Sequence, residues 1–234
     1  MAAVEVVPGV WGITQGYVSA FVLDGGGLSL VDAGLTAKAD AFRRSLAQIR
    51  PGNDRVDHVA ITHHHVDHTG GLSALTAGAE TTIWAHPADT PIIRGDAPAP
   101  RPPGRNPLER AGIAGMLRFG PAQKPARVDR EISDGEELPI GDGLVAYHTP
   151  GHTAGHVSFL MPSKRLLFVG DAAGNMMGRL GPPFGLFTED HSLIRPSIAK
   201  LASLDFDVAC FGHGRVLKGK ANAAFRKLVE KLAG

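Results

Sequence analysis

Four of the chain's eleven histidines crowd into seven residues, Thr62-His63-His64-His65-Val66-Asp67-His68. They follow directly on an apolar, β-rich run, Val56 to Ile61. In extended backbone His63 and His65, two apart, point the same way. Asp67 and His68 come where the chain turns, and Gly70-Gly71 permits a tight turn with close backbone approach. Such a loop can offer two pairs of ligands to two neighbouring cations. Imidazole and carboxylate without thiolate suit zinc, iron or manganese. The internal position, behind a strand and with an aspartate inside the run, argues against a solvated histidine tract.

That loop alone has too few ligands for two cations. Three later places share one format, a strand, a small residue, then His or Asp: Thr149-Pro150-Gly151-His152, Val169-Gly170-Asp171 and Phe211-Gly212-His213-Gly214. Each is weak alone, since a Gly-His pair is usually a turn. Together they demand a fold that brings four distant loops to one point.

The remaining pattern describes such a fold. Strands are expected at Tyr17 to Leu23 and Leu28 to Val31, joined by the turn signal Asp24-Gly25-Gly26-Gly27. A helix is expected over Thr36 to Ile49, stopped before Pro51-Gly52. Strands follow at Val56 to Thr62 and Thr81 to Ala85, with a short helix after Gly70-Gly71. Residues 87–126, dense in proline, read as an insertion whose one regular piece is a helix capped by Asn106, with Pro107 in its first turn and Gly120 at its end. Ile113, Met116 and Leu117 share a face of it. Strands recur at Leu144 to His148, His156 to Met161, Leu166 to Val169 and Phe206 to Phe211. Helices close the chain: one over Leu193 to Leu204, with Pro196 in its first turn or at a kink, and one presenting Phe225, Leu228, Val229 and Leu232. Strand groups followed by helices, twice over, imply two packed sheets with outer helices in a single domain spanning 1–234.

Composition narrows the function. A net charge of +1 gives no support for nucleic-acid binding. One cysteine, Cys210, excludes an intramolecular disulfide framework and reads as core. Met1 to Val10 has no signal-peptide pattern, and no apolar run approaches the ~20 residues of a membrane span. A cytoplasmic enzyme acting on a small molecule, as monomer or homodimer, is the expectation.

The stretches THHHVDHTGG, TPGHTAGH, LFVGDA and FGHG, with the early Leu30-Val31-Asp32-Ala33-Gly34, resemble the successive motifs of the metallo-β-lactamase superfamily, of the glyoxalase II and lactonase type. The resemblance runs from about Trp11 to Gly214 and leaves the insertion unmatched. It implies an α/β fold, the four-layer αβ/βα sandwich, with the site at one sheet edge. It implies two divalent metal ions, zinc first, with iron or manganese as alternatives. His63, His65 and His152 would hold one, Asp67, His68 and His213 the other, and Asp171 would bridge them. Asp67 and Asp171 are the catalytic carboxylates of this assignment. Asp32, Thr62 and His156 would orient ligands, Asp32 being equally readable as a plain turn residue. His64 falls at a variable position and is left out, and His58, His86, His148 and His191 read as structural.

The reaction implied is hydrolysis of an ester, lactone or thioester bond, with β-lactams a further candidate, by a hydroxide shared between the cations. The alternatives are an iron-dependent oxygenase of the persulfide dioxygenase type and a phosphodiesterase. The chain departs from the subfamilies it resembles. Homoserine lactonases carry a tyrosine three residues past the bridging aspartate, where this chain has Gly174, and Tyr17 and Tyr147 are its only tyrosines. About twenty residues follow His213, too few for the helical domain of glyoxalase II. Met176 to Phe187 is a candidate apolar wall, although core packing explains it nearly as well. The insertion's arginines 94, 101, 105, 110 and 118 read foremost as a solvated surface, with an anion-facing lid as the alternative.

Overall fold

Strands buried on both faces read as unbroken apolar runs, and two such runs organise the molecule. In Ala20-Phe21-Val22-Leu23, Phe21 and Leu23 enter one cluster while Ala20 and Val22 enter another. In Leu166-Leu167-Phe168-Val169 the same alternation sends Leu166 and Phe168 to the first cluster and Leu167 and Val169 to a third. The period-two pleat therefore sorts side chains among three apolar layers. The computed structural model describes all residues except 1, 54, 79, 102, 103, 105, 120–123 and 234, and leaves the side chains of 116–119 undescribed.

The first sheet comprises β1 (Ala3–Val7), β2 (Val10–Gln15), β3 (Val18–Gly25), β4 (Gly27–Val31), β5 (Val56–Ala60), β6 (Thr82–Ala85) and β7 (Arg130–Glu131), paired in that order. Its first four strands are antiparallel and β4 to β7 parallel. The second sheet uses β8 (Glu137–Leu138), β9 (Leu144–His148), β10 (Val157–Met161) and β11 (Leu166–Gly170). A separate hairpin follows, β12 (Gly174–Met176) and β13 (Arg179–Gly181); then β14 (Val208–Phe211) and β15 (Leu217–Lys218) complete the second sheet. Its order is β15-β14-β11-β10-β9-β8, with β11 and β14 parallel.

The sheets face each other across Phe21, Val31, Phe159 and Phe168, with the Phe21 and Phe168 rings 5.4 Å apart. Helices cover both outer faces. On the first lie α1 (Ala39–Ile49), α2 (Val66–Thr69), α3 (Leu72–Leu75) and α4 (Thr90–Arg94), whose Phe42, Leu46, Leu72 and Ile93 pack on Val22, Leu30 and Val59. Next in the chain comes α5 (Pro107–Phe119), where Asn106 Oδ1 accepts from the Glu109 amide as the expected cap. Gly120 and the side chains of Met116 and Leu117 lie outside the described residues. On the second sheet lie α6 (His191–Ala202) and α7 (Ala221–Lys231), burying Ile198, Leu201, Phe225 and Leu228. This is the expected αβ/βα sandwich. Each fully buried phenylalanine contributes about 1.5–3 kcal/mol, so Phe168, Phe42 and Phe225 anchor the three layers in turn.

Several boundaries differ from the sequence reading. β5 ends at Ala60 rather than Thr62, because the chain leaves the sheet to place His63 and His65 on a loop. Asp67 and His68 lie on α2, a single turn too short to show helical periodicity. α6 starts two residues early, at His191, capped by Asp190 through the Ser192 amide, which puts Pro196 in the second turn. Proline there removes the donor for the Ser192 carbonyl. The short α4 is regular structure inside the segment read as an insertion, and its Ile93 is fully buried. Among the described residues no helix is long and apolar enough to cross a membrane.

Candidate metal centre

Parallel strands end on one side of a sheet, where ligand sites gather. Here β4 leads to Asp32, β5 to His63 and His65, β11 to Asp171 and β14 to His213, while the turn between β9 and β10 carries His152. All seven ligand residues expected from the sequence converge. The ligand atoms of three groups, His63/His65/His152, His63/His68/Asp171 and Asp67/His68/His213, lie within 4.8 Å of one another in each group. Asp171 reaches both halves: its Oδ2 is 3.4 Å from His152 Nε2 and 3.0 Å from His213 Nε2, and its Oδ1 is 3.6 Å from His68 Nε2.

Hydrogen bonds behind the ligands decide which ring nitrogens face inward. Thr62 Oγ1 donates to Asp32 and accepts from His63 Nδ1 at 3.0 Å, which leaves His63 Nε2 aimed at His65 Nδ1, 3.1 Å away. His152 Nε2 is 3.0 Å from the same His65 Nδ1. His68 Nδ1 donates to Asp32 Oδ2 at 2.7 Å, and His213 Nδ1 donates to the Tyr17 carbonyl at 2.9 Å. His156, fully buried, accepts the Asp171 amide on Nε2 and donates from Nδ1 to Thr149 Oγ1. Asp32, Thr62 and His156 thus each hydrogen-bond to a residue that the resemblance expects as a ligand. Asp32 is more than a turn residue: it accepts three hydrogen bonds from a left-handed backbone, φ 65°. Aspartate tolerates that conformation better than most residues.

The donor set fits divalent cations. His68 Nε2 and Asp171 Oδ1 are sealed from solvent and have no hydrogen-bond partner among protein atoms. Unsatisfied buried acceptors are costly unless something else uses their lone pairs. The backbone is cut back to admit the cluster: a Cβ on Gly212 would stand 2.2 Å from Asp171 Oδ1, and one on Gly170 2.6 Å from His156 Nε2.

The protein's own charges divide the cluster. Burial, together with the neighbouring imidazoles, pushes His63 and His65 well below the ordinary histidine range, and burial takes His152 down to about 3. Across the centre burial opposes charge as well, but Asp32, Asp171 and Asp67 hold His68 up at about 9. Asp171 and Asp67 likewise raise His213 to about 11 against the effect of burial. Burial resists ionisation of Asp67, yet His68 and His213 bring it down to about 2, and Asp171 is held lower still.

The sequence reading missed one arrangement. His64 is buried, and its amide donates to Asp89 Oδ2 at 2.8 Å. Its Nδ1 is 3.1 Å from the same oxygen, an ion-pair distance without hydrogen-bond geometry. Asp89 also accepts from Thr153 Oγ1 and the Gly155 amide, and Glu189 accepts from the Ala154 amide. Asp89 therefore staples the His63–His65 loop to the His152 loop. A lone Asp after a proline carries no signal of this in sequence.

The other histidines are not ligands in any of these groups. His58 accepts from Trp84 Nε1, and His86 stacks on His148 at 4.1 Å. Tyr17 stacks on His213 at 5.7 Å, so a tyrosine does stand beside the centre although Gly174 offers none. Tyr147 lies instead under Lys200. Cys210 is buried, as expected, and burial raises its thiol pKa.

Comparison with known proteins matches this description. The sequence profile of the metallo-beta-lactamase superfamily matches residues 13–213. The probable metallo-hydrolase YybB of Bacillus subtilis (strain 168) is 30% identical over 83% of this chain and 79% of its own length. A hydroxyacylglutathione hydrolase of Ruegeria pomeroyi is 31% identical over 78% of this chain, which spans 58% of that relative. Among solved structures, the Rm3 metallo-beta-lactamase shares the fold at TM-score 0.74 and 18% identity, covering 100% of this chain and 93% of the other.

Proposed function

Because the chain belongs to the metallo-β-lactamase superfamily and is a metal-dependent hydrolase, we propose that it cleaves an ester, lactone or thioester bond, with two divalent cations, zinc foremost. The observation that carries this is Asp171, a single carboxylate within 3.6 Å of histidines in both halves of the cluster. His63, His65 and His152 would hold one cation and Asp67, His68 and His213 the other, with Asp171 shared. Cations so held lower the pKa of bound water toward neutrality and polarise a carbonyl oxygen.

The protein's residues do the rest. Asp67, partly open to solvent and kept ionised by His68 and His213, would orient the attacking water as a hydrogen-bond acceptor. Asp32 and the Tyr17 carbonyl hold the His68 and His213 rings in place. A thioester is favoured among the three bonds, since the hydroxyacylglutathione hydrolases among the relatives are named for an acyl–sulfur substrate.

The test is a hydrolysis panel on zinc-reconstituted protein covering lactones, thioesters, aryl esters, phosphodiesters and β-lactams, with metal content measured alongside. Thioester or ester turnover that disappears in His65→Ala is expected. Protein that binds no metal, or turnover unchanged in His65→Ala, overturns the reading. Native iron with oxygen uptake would move the chain to the oxygenase alternative.

A further inference from the structure

We propose that the rim of this centre is an acyl subsite, which takes an unsubstituted hydrocarbon or aryl acyl group against Phe187, Phe184, Met176 and Met177. The inference rests on the hydrolase reading and names the substrate class for it.

Large apolar side chains left in water are the observation. Among the described residues seven are exposed, and four of them, Tyr17, Met176, Met177 and Phe184, belong to segments that border the ligands. On one side Phe187 stands 6.4 Å from the His65 ring, and Phe184 continues outward 5.7 Å from Phe187. On the other, Tyr17 lies flat on His213, and Asn175 bridges to Gly214, which brings Met176 beside the His213 loop. Tyr17 and Phe187 thus flank the two halves of the cluster, with the Met176 backbone and Phe184 next in line.

The β12–β13 hairpin strengthens the case. It belongs to neither main sheet, and its Met176↔Arg179 pair closes on Met177-Gly178, both left-handed at φ 52° and 79°. Such turns favour Asn, Asp or Gly first. Here the position holds a methionine that is 91% exposed, a conformation and an exposure each unfavourable for that residue. Packing does not require it. A flexible apolar side chain suits chains of varied shape. Exposed apolar patches of this kind mark ligand grooves or subunit contacts, and adjacency to the reactive centre favours the ligand.

The experiment uses full-length, zinc-reconstituted protein and N-acetylcysteamine thioesters from acetyl to decanoyl, with benzoyl and a hydroxyacyl member. KM should fall about two- to four-fold per added methylene up to mid-length chains, the upper figure matching ~0.8 kcal/mol per buried methylene. In the double variant Phe184→Ser, Met177→Ser the octanoyl-to-acetyl ratio of kcat/KM should collapse toward one. Leu108→Ser, which removes an exposed apolar group on α5, should leave that ratio as it was. Calorimetry with octanoate and acetate reads the subsite without turnover. Tighter octanoate binding, lost in the double variant, upholds the subsite even if every thioester is inert, and that result would sink the hydrolase reading alone. A flat chain-length profile with equal binding of the two carboxylates overturns the subsite. So does preference for the hydroxyacyl thioester over its unsubstituted analogue. A concentration-dependent dimer abolished by the double variant, with the ratio unchanged, would assign the patch to a second copy and overturn it too.

Discussion

The two halves of the candidate metal centre both approach Asp171 but are built on opposite electrostatic terms. His63, His65 and His152 form an all-imidazole half, which burial and mutual repulsion keep free of protons. Asp67, His68 and His213 form a mixed half, in which carboxylates keep the histidines charged and His213 remains partly exposed. The first half is stapled from behind by Asp89, and the second is oriented by Asp32. The difference teaches that ligand residues alike in sequence are prepared differently for a cation. One half offers lone pairs that need only a cation. The other must first release protons, because a bound metal displaces them.

The largest effect should come from removing what the halves share. Asp171→Ala should abolish hydrolysis and lower the metal content of both halves, as read by turnover and elemental analysis. Separate losses should follow from the residues behind each half. Asp89→Ala strips the acceptor from the His64 and Gly155 amides and from Thr153, so it should cost about 1–3 kcal/mol in denaturant unfolding for each donor left buried without a partner. Asp32→Ala should weaken the mixed half by about 10–100-fold in metal affinity and the all-imidazole half less, because Asp32 bonds His68 directly but reaches His63 only through Thr62. Equal weakening of both sites would erase the distinction drawn between them.

Titration sharpens the same contrast. Metal uptake by the mixed half should strengthen as pH rises toward about 9, by up to about a hundred-fold per pH unit while protons must leave both His68 and His213, and by up to about ten-fold per unit from there to about 11. Uptake by the all-imidazole half should change little there. The same division of charge acts on the stability of the metal-free protein. His63, His65, His152 and His156 are depressed, so the unfolded chain binds more protons below pH ~6.5, and stability falls as pH drops through that range. His68 and His213 are raised, so their contribution is complete below ~6.5 and is lost as pH rises through about 9 and about 11. Unfolding free energy should therefore peak near pH 6.5, flanked by slopes of roughly 1.4 kcal/mol per pH unit per proton. A monotonic profile would count against this division of charge.

Much of this was legible in the chain. The strands through Phe21 and Phe168 announce themselves as apolar runs, and α1, α5 and α7 by periodicity and caps. All seven expected ligands sit beside small residues or in the histidine run, a format that survives without coordinates. What escaped was short or non-local, apart from β1 and β2, two strands of ordinary length that the sequence reading left out. α2 and α4 are single turns, and β7, β8 and β15 are two-residue pairings, too brief for any period to show. His64 looked dispensable because its importance lies in Asp89, 25 residues away.

By itself the order of residues determined which groups can meet a cation and that two doubly covered sheets must form, since residue chemistry and the pleat's period of two are local properties. Only the tertiary structure decided which nitrogen of each ring faces the centre, which half is charged and where the apolar rim stands. Those outcomes depend on burial and on partners contributed by other loops, such as Asp32 for His68, Asp89 for His64 and the Tyr17 carbonyl for His213. Desolvation and Coulomb interactions act through space, so their sign is set only once the sheets have closed.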